Sequence, residues 1–217
     1  MRTRAECIAT LLSPGIIAVV RAPRAELCLP LAEALIAGGV LAVEITMTTP
    51  NAIAAIRETK RAVGDRGLIG VGTILDGAAC EAALAAGAEF VVSPILRPDL
   101  VPLAHQAGRP IMLGAYTPTE AQQAHEAGSD FIKIFPADGL GAAYIKNLRA
   151  PLPHLRIVPT GGVDLDTMGD FLRAGVAALG VGSSLVKKEL LEREAWADLT
   201  ALARRFVEAR RRVPPMT

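Results

Sequence analysis

Residues 118–136, PTEAQQAHEAGSDFIKIFP, contain one unit that the rest of the chain repeats. An amphipathic, alanine-rich segment ends in an Ala-Gly pair, and a short apolar run follows it. Glycine just past a helix adopts the left-handed conformation at little steric cost, so this pair predicts a helix end that leads into a strand. Such pairs occur five times, at residues 37–38, 86–87, 107–108, 127–128 and 174–175.

Eight apolar runs recur about every 20 to 27 residues, the spacing of a strand plus its crossover helix. They read GIIAVVR, LAVEITM, LIGVGTI, FVVSP, PIMLGAY, FIKIFP, RIVPTGG and ALGVGSSL. Near-continuous apolar strands fit a parallel sheet that is covered on both faces. We therefore predict one (β/α)8 TIM-barrel domain over residues 1–217, with a helix before the first strand and a long charged helix at the end. A doubly wound open sheet is the alternative, and residues 214–217 are expected to fray.

Composition excludes several classes of protein. The net charge of +1 and an aromatic content of 4% argue against a nucleic-acid binder, which needs a basic surface and stacking side chains. Every apolar run is interrupted well short of the roughly 18 residues that a membrane span requires. The three cysteines are far apart in the sequence and predict neither a disulfide framework nor a zinc site. These features favour a cytoplasmic protein.

Lys133 interrupts one of the apolar runs. Side chains alternate along a strand, so Phe131, Lys133 and Phe135 share one face of FIKIF. The outer face of a barrel packs against helices and would leave the ammonium group unpaired, so we expect Lys133 to point inward. By the same alternation Glu44 points inward from LAVEITM.

The second and sixth strands of a closed eight-stranded ring lie opposite each other. Lys133 and Glu44 are therefore expected to flank a small molecule between them, unless they form a buried structural ion pair. A lysine amine is a nucleophile only when neutral, and burial disfavours its charged form. Glu44 would move the protons that imine chemistry requires. His105, His125 and His154 are scattered, so no metal site is predicted.

Two glycine-rich strand ends predict a phosphate site. The seventh run ends in Thr160-Gly161-Gly162, and the eighth ends in Gly182-Ser183. Loops after the last two strands of such barrels commonly hold a phosphate through backbone N–H groups. The predicted ligand is therefore a small phosphorylated molecule, which with Lys133 and Glu44 indicates imine chemistry on a phosphorylated keto compound.

The chain resembles the class I 2-keto-3-deoxy-6-phosphogluconate (KDPG) aldolases and their 2-keto-3-deoxy-6-phosphogalactonate (KDPGal) and 4-hydroxy-2-oxoglutarate (KHG) relatives. The resemblance covers roughly residues 12–187 and is carried by AGGVLAVEITMTTP, IGVGTILD, FVVSPIL, FIKIFPAD, VPTGGV and GVGSSLV, in this order. It implies cleavage of a 2-keto-3-deoxy-6-phospho sugar acid to pyruvate and glyceraldehyde 3-phosphate. It also implies a homotrimer that uses no cofactor.

The resemblance also implies roles for individual residues. Lys133 would form the Schiff base and Glu44 would be the general acid and base. Thr73 would lie near the pyruvyl carboxylate, and Pro94 and Phe135 would form walls around the imine. The remaining pocket residues would be Thr160 and, at the phosphate, Gly161, Gly162, Gly182 and Ser183.

One segment departs from the KDPG pattern. Members of that type usually carry an arginine where this chain has Thr48, and that arginine binds the substrate carboxylate. KDPGal-type relatives have a small polar residue there and an arginine at the end of the first strand, which resembles Thr48 and Arg21. Arg21 is therefore expected to bind the carboxylate. For the activity as a whole, two alternatives to a KDPG or KDPGal aldolase remain: a KHG aldolase, or a non-aldolase barrel that binds a sugar phosphate.

Overall fold

A computed structural model describes residues 2–213 of the chain. Its strands are β1 Ile16–Val20, β2 Ala42–Thr46, β3 Leu68–Gly72, β4 Val91–Val92, β5 Ile111–Ala115, β6 Phe131–Ile134, β7 Ile157–Pro159 and β8 Leu179–Val181. Its helices are α1 Arg4–Leu12, α2 Cys28–Ala37, α3 Ala52–Val63, α4 Gly77–Ala85, α5 Leu100–Gln106, α6 Pro118–Glu126, α7 Gly141–Arg149, α8 Met168–Arg173, α9 Lys188–Glu192 and α10 Trp196–Arg211. Short 3-10 turns occupy Ala25–Leu27 and Gly64–Arg66. The expected fraying of residues 214–217 concerns residues outside the described range.

The strands form one parallel sheet that closes on itself. Their order is β7-β6-β5-β4-β3-β2-β1-β8, and a parallel bridge between Thr160 and Gly180 joins the two ends. This closure confirms the (β/α)8 barrel and excludes the doubly wound open sheet. All eight strands lie within the runs predicted from the sequence, and α1 and α10 are the predicted first and last helices.

Local signals set the ends of the helices. Thr117 and Glu120 form a capping box at the start of α6, with Pro118 in its first turn, and this arrangement satisfies free backbone N–H groups. Gly128, past the end of α6, has a φ of 93°. The Ala-Gly prediction fails at residues 37–38, where Gly39 rather than Gly38 has positive φ. Gly38 instead allows close packing, because a Cβ there would collide with Ala203 of α10.

Two apolar cores enclose the sheet. The outer core, between strands and helices, contains Val43, Ile45, Ile132 and Ile134, and the inner core contains Ala42 and Phe131, among others. This partition confirms the predicted inward and outward faces of β2 and β6. Helix α1 closes the N-terminal end of the barrel by adding two buried side chains, Cys7 and Leu11, to the inner core.

The cysteines are buried free thiols. Burial raises the pKa of Cys28 and that of Cys80 to about 11, and raises the pKa of Cys7 above its ordinary value. Since the thiolate is the reactive form, these groups are chemically inert near neutral pH. Within residues 2–213, every helix is too short or too polar to cross a membrane.

Candidate active site

Lys133 and Glu44 meet inside the barrel. Both residues are 2% exposed, and Lys133 Nζ lies 3.8 Å from Glu44 Oε1. At this separation the two groups face each other directly, with no room for a molecule between Nζ and Oε1. A ligand must therefore bind beside the pair.

The pair has poor geometry for a structural ion pair. A separation of 3.8 Å is too long for a hydrogen bond, and Glu44 Oε1 is buried without any hydrogen-bond partner in the described chain. A buried charged oxygen without a donor is costly, and such atoms in native proteins call for an explanation. Lys133 Nζ also lies 5.0 Å from the centroid of the Phe135 ring. The arrangement fits groups that exchange protons and bonds with a substrate.

Two glycines that the sequence reasoning missed allow other groups to approach closely around the pair. Gly72 of β3 lies beside the Glu44 carboxylate, and a Cβ at this position would collide with it. Gly114 of β5 pairs in register with Lys133, and a Cβ there would collide with the backbone of Pro94. A glycine at an inward position of an apolar strand marks such a close approach, so the signal was present in the sequence.

Pro94 and Thr73 follow β4 and β3 at the same end of the barrel. The backbone of Pro94 covers Gly114, and Gly114 N–H donates to the carbonyl oxygen of Ile95 at 3.1 Å. This contact places Pro94 next to the strand position of Lys133. Thr73 directly follows Gly72 and has a φ of 61°, a strained conformation for a β-branched residue. Strain of this kind concentrates at functional sites.

A cavity of about 260 Å³ opens beside Phe135. Seven of the site residues predicted from the sequence line it: Arg21, Phe135, Thr160, Gly161, Gly162, Gly182 and Ser183. Phe135 also faces Lys133, so this ring connects the cavity with the buried pair. The two strand ends predicted to bind phosphate therefore lie together, within reach of the same small molecule.

Hydrogen bonds order the loops around this cavity. Ser184 Oγ donates to the carbonyl oxygen of Val163 and so ties the loop after β8 to the loop after β7. Asp164, which also lines the cavity, accepts hydrogen bonds from Thr167 N–H at 2.8 Å and from Asp166 N–H at 2.9 Å. These donors, Thr167 N–H foremost, lower the pKa of Asp164 below its ordinary value. The sequence reasoning did not identify Asp164.

Arg21 is the first residue after β1 and lies with the phosphate loops. Its Nη1 atom is 3.8 Å from the position that a Cβ on Gly182 would occupy. The side chain is exposed and also borders a second cavity of about 390 Å³ with apolar walls, which shares Ser183 with the first. Arg21 therefore lies beside the two loops that the sequence predicted to bind phosphate.

Thr48, the other residue that departs from the KDPG pattern, follows β2, the strand beside β1. It is exposed, and its Oγ1 is 2.7 Å from Thr46 Oγ1. Thr48 does not line the cavity that contains Arg21. Because Thr46 Oγ1 also donates to the carbonyl oxygen of Val20, Thr48 lies one hydroxyl group away from the backbone that precedes Arg21.

The histidines lie away from the pair. His105 contacts Asp130 at 3.2 Å, and the rings of His125 and His154 are 4.6 Å apart. The part of the chain from residue 2 to residue 213 contains no cluster of three or more His, Cys, Asp or Glu side chains suited to a metal ion.

Comparison with protein families gives one match over most of the chain. The profile described as "Aldolase: KDPG and KHG aldolase" matches residues 8–202. The 2-dehydro-3-deoxy-phosphogluconate aldolase of Pseudomonas aeruginosa is 35% identical over 201 residues, covering 90% of this chain and 91% of that protein. The 2-dehydro-3-deoxy-6-phosphogalactonate aldolase of Escherichia coli K12 is 34% identical over 173 residues, covering 79% of this chain and 84% of that protein.

Solved structures give the same result. A native KDPGal structure superposes with a TM-score of 0.84 at 33% identity and covers 91% of this chain and 95% of that chain. The KDPG aldolase of Legionella pneumophila, with pyruvate captured at low pH as a covalent carbinolamine intermediate, also has a TM-score of 0.84. It is 30% identical, and the match covers 91% of this chain and 96% of that chain.

Proposed function

The chain belongs to the KDPG and KHG aldolase family, and from this premise we propose how its own residues perform the reaction. The enzyme is a carbon–carbon lyase that cleaves a 2-keto-3-deoxy-6-phospho sugar acid, of the phosphogluconate or phosphogalactonate type, to pyruvate and glyceraldehyde 3-phosphate. Lys133 forms a Schiff base with the substrate, and Glu44 transfers the protons. The observation that carries this assignment is the buried Lys133–Glu44 pair, in which Glu44 Oε1 has no hydrogen-bond partner.

The first half of the reaction forms the imine. The neutral amine of Lys133 attacks C2 of the keto acid and gives a carbinolamine. Glu44 protonates the departing hydroxyl group, water leaves, and an imine remains. The 3.8 Å separation of Nζ and Oε1 places the proton donor next to the new C–N bond.

The second half breaks the carbon–carbon bond. The Glu44 carboxylate takes the proton of the C4 hydroxyl group, the C3–C4 bond breaks, and its electron pair moves into the imine. Glyceraldehyde 3-phosphate leaves, and the remaining enamine is protonated at C3. Water then hydrolyses the pyruvyl imine and restores the Lys133 amine.

The two ends of the substrate bind at different elements. We assign the carboxylate end to Thr73, which follows β3, with Thr48 after β2 as a further polar group and Pro94 after β4 as a wall beside the imine. The phosphate end is assigned to the cavity beside Phe135, whose polar lining is Arg21, Thr160, Gly161, Gly162, Gly182 and Ser183. Gly161 and Gly162 both have positive φ, a conformation in which backbone N–H groups can converge on an anion.

A phosphorylated substrate is favoured over 4-hydroxy-2-oxoglutarate. The cavity with Arg21 would remain empty with the KHG substrate, which ends in a carboxylate instead of a phosphate. We therefore retain KHG cleavage as a secondary activity. A non-aldolase barrel is set aside, since the family match covers residues 8–202.

Assembly and location are also proposals. Leu75, Ile95 and Tyr116 are each about half exposed, at 46%, 49% and 45%, and they follow the neighbouring strands β3, β4 and β5. An exposed apolar patch of this kind supports association, and we propose a homotrimer of single-domain chains spanning residues 1–217. The three free cysteines support a reducing cytoplasmic location.

Borohydride trapping tests the proposed mechanism. Pyruvate with borohydride should add one stable lactyl-type mass to Lys133, because reduction turns the imine into a secondary amine. Lys133→Arg keeps the charge but cannot form an imine, so labelling and turnover should both disappear. Lys188→Arg, at an exposed lysine, is the matched control and should retain both. Labelling at another lysine would refute the assignment.

A further inference from the structure

The backbone on either side of Arg21 is held by side chains from the end of β2. Thr46 Oγ1 donates a hydrogen bond to the carbonyl oxygen of Val20 at 3.0 Å. Ala22 N–H donates to Thr49 Oγ1 at 3.2 Å. Arg21 therefore lies between two backbone groups that are both fixed by threonine hydroxyl groups.

These bonds occur where the ladder between β1 and β2 ends. The last pair in register is Val20 with Ile45, so Ala22 lies beyond the sheet. Ala22 is only 3% exposed, and Thr49 is only 2% exposed. A backbone N–H group buried there would be costly without an acceptor. The hydroxyl group of Thr49 supplies that acceptor, because the backbone carbonyl groups of β2 no longer pair with the chain at Ala22.

The Arg21 side chain has no comparable support of its own. Among the described residues, no hydrogen bond or ion pair to the guanidinium group is present. The group nevertheless lies close to Gly182 and lines the cavity assigned to the phosphate. What the hydrogen bonds do fix is the backbone from which this side chain extends toward the cavity.

We propose that Thr49, together with Thr46, is a positioning residue that directs the Arg21 guanidinium group toward the phosphate end of the substrate. This inference rests on the proposed function, since it assigns Arg21 to the phosphate. Thr46 also contacts Thr48 and lies two residues from Glu44, so its variants affect more than one part of the site. The Thr49 hydroxyl group, among the described residues, makes its one hydrogen bond with Ala22 N–H, so Thr49 gives the cleaner test.

Thr49→Val tests the proposal because valine keeps the shape of threonine and removes the acceptor. We expect KM for the phosphorylated keto acid to rise on the order of fivefold, as when a charge-assisted hydrogen bond is weakened but not lost. Turnover, measured as kcat, should change less than about twofold, since the imine chemistry is untouched. Thr49→Ser should restore KM, because serine returns the hydroxyl group.

Thr59→Val is the matched control. Thr59 is 1% exposed and lies on α3, and its Oγ1 atom has no hydrogen-bond partner within residues 2–213. The same substitution there removes a buried hydroxyl group without releasing the backbone near Arg21. It should leave KM unchanged. An equal rise in KM in both variants would mean that general loosening of the barrel, and not the position of Arg21, is responsible.

A double-mutant cycle shows whether Thr49 acts through Arg21. Arg21→Ala alone should raise KM about tenfold or more, the loss of one charge-assisted bond, and adding Thr49→Val should raise it no further. A further rise in the double variant would overturn the positioning role while leaving the proposed function intact. An unchanged KM in Arg21→Ala would overturn the role of both residues, and Lys133 labelling would still report separately on the aldolase mechanism.

Thr49→Ala provides a second variant for the case that valine prevents folding. It removes the same hydroxyl group without placing a methyl group against the Ala22 N–H. Circular dichroism and the melting temperature establish that each variant is folded. If a folded Thr49→Ala or Thr49→Val protein has the KM of the unchanged enzyme, the proposal is wrong.

Discussion

The two ends of the barrel bury carboxylates in opposite ways. Near the N-terminal end, Glu89 is 1% exposed and contacts Lys60 Nζ at 3.0 Å, Arg2 Nη1 at 3.1 Å and Ile69 N–H at 3.2 Å. Toward the C-terminal end, Glu44 is 2% exposed, and its Oε1 has Lys133 at 3.8 Å as its nearest cation and no hydrogen bond.

The comparison distinguishes a carboxylate that stabilises the fold from one that takes part in the reaction. A carboxylate whose donors are all in place is already neutralised and contributes to the fold. A carboxylate with an unpaired oxygen is free to take a proton or to face a substrate, at a cost in folding free energy. In barrels of this type the C-terminal end carries the active site and the N-terminal end carries stability, and the two glutamates follow that division.

The largest expected effect comes from exchanging each carboxylate for an amide. Glu44→Gln should lower kcat on the order of 10²- to 10⁴-fold, the usual loss for a missing general acid or base. Its free energy of unfolding should change little, because Oε1 has no hydrogen bond to lose. Glu89→Gln should instead destabilise the fold by about 3 kcal/mol, since it leaves Arg2 and Lys60 without their anion.

Denaturant unfolding and steady-state kinetics on both variants measure this contrast. The activity of Glu89→Gln per folded molecule should match that of the unchanged enzyme. If Glu44→Gln proved unstable but fully active per folded molecule, Glu44 would be a structural residue and the division between the two ends would fail.

A smaller effect is expected from filling the space beside Glu44. The Cβ of Gly72→Ala would collide with the Glu44 carboxylate, so that group must move. A displacement of about 1 Å in a catalytic group can lower kcat by about 100-fold. Gly139→Ala is the control, because a Cβ at Gly139 meets no atom within 4 Å. Equal kcat values for both variants would show that the position of the Glu44 carboxylate is unimportant.

The smallest effect concerns pH and the loop after β7. The pKa of Asp164 is lowered from its ordinary value of 3.8, chiefly by Thr167 N–H. A carboxyl group with a lowered pKa in the folded state stabilises the protein above its unfolded pKa, and this contribution is lost as pH falls through the folded pKa. The free energy of unfolding of Asp164→Asn should therefore fall less between pH 5 and pH 3 than that of the unchanged enzyme.

Acid titration of unfolding, followed by fluorescence of the single tryptophan, measures that difference. Asp166→Asn is the control, since only the backbone N–H of Asp166 takes part in the Asp164 contacts. Identical acid sensitivity in Asp164→Asn and the unchanged enzyme would show that the loop is ordered by other contacts.

The repeat of helix, Ala-Gly pair and apolar run was enough to predict the barrel and its inward faces. Strand alternation has a period of two, so placing Lys133 and Glu44 on the inner faces of β6 and β2 needed only local information. The prediction failed at Gly38, where the reason for the glycine is a contact with α10. Such a contact joins distant parts of the chain, and local pattern carries no sign of it.

Within the site, the sequence by itself determined which residue types face the interior and which strand ends are rich in glycine. Tertiary structure alone decided that Lys133 and Glu44 approach to 3.8 Å, that Gly72 makes room for the carboxylate, and that the Arg21 side chain lies beside Gly182. The physical reason is that alternation and turn chemistry act between near neighbours in the chain. Distances across the barrel depend instead on ring closure and on the packing of side chains from several strands at once.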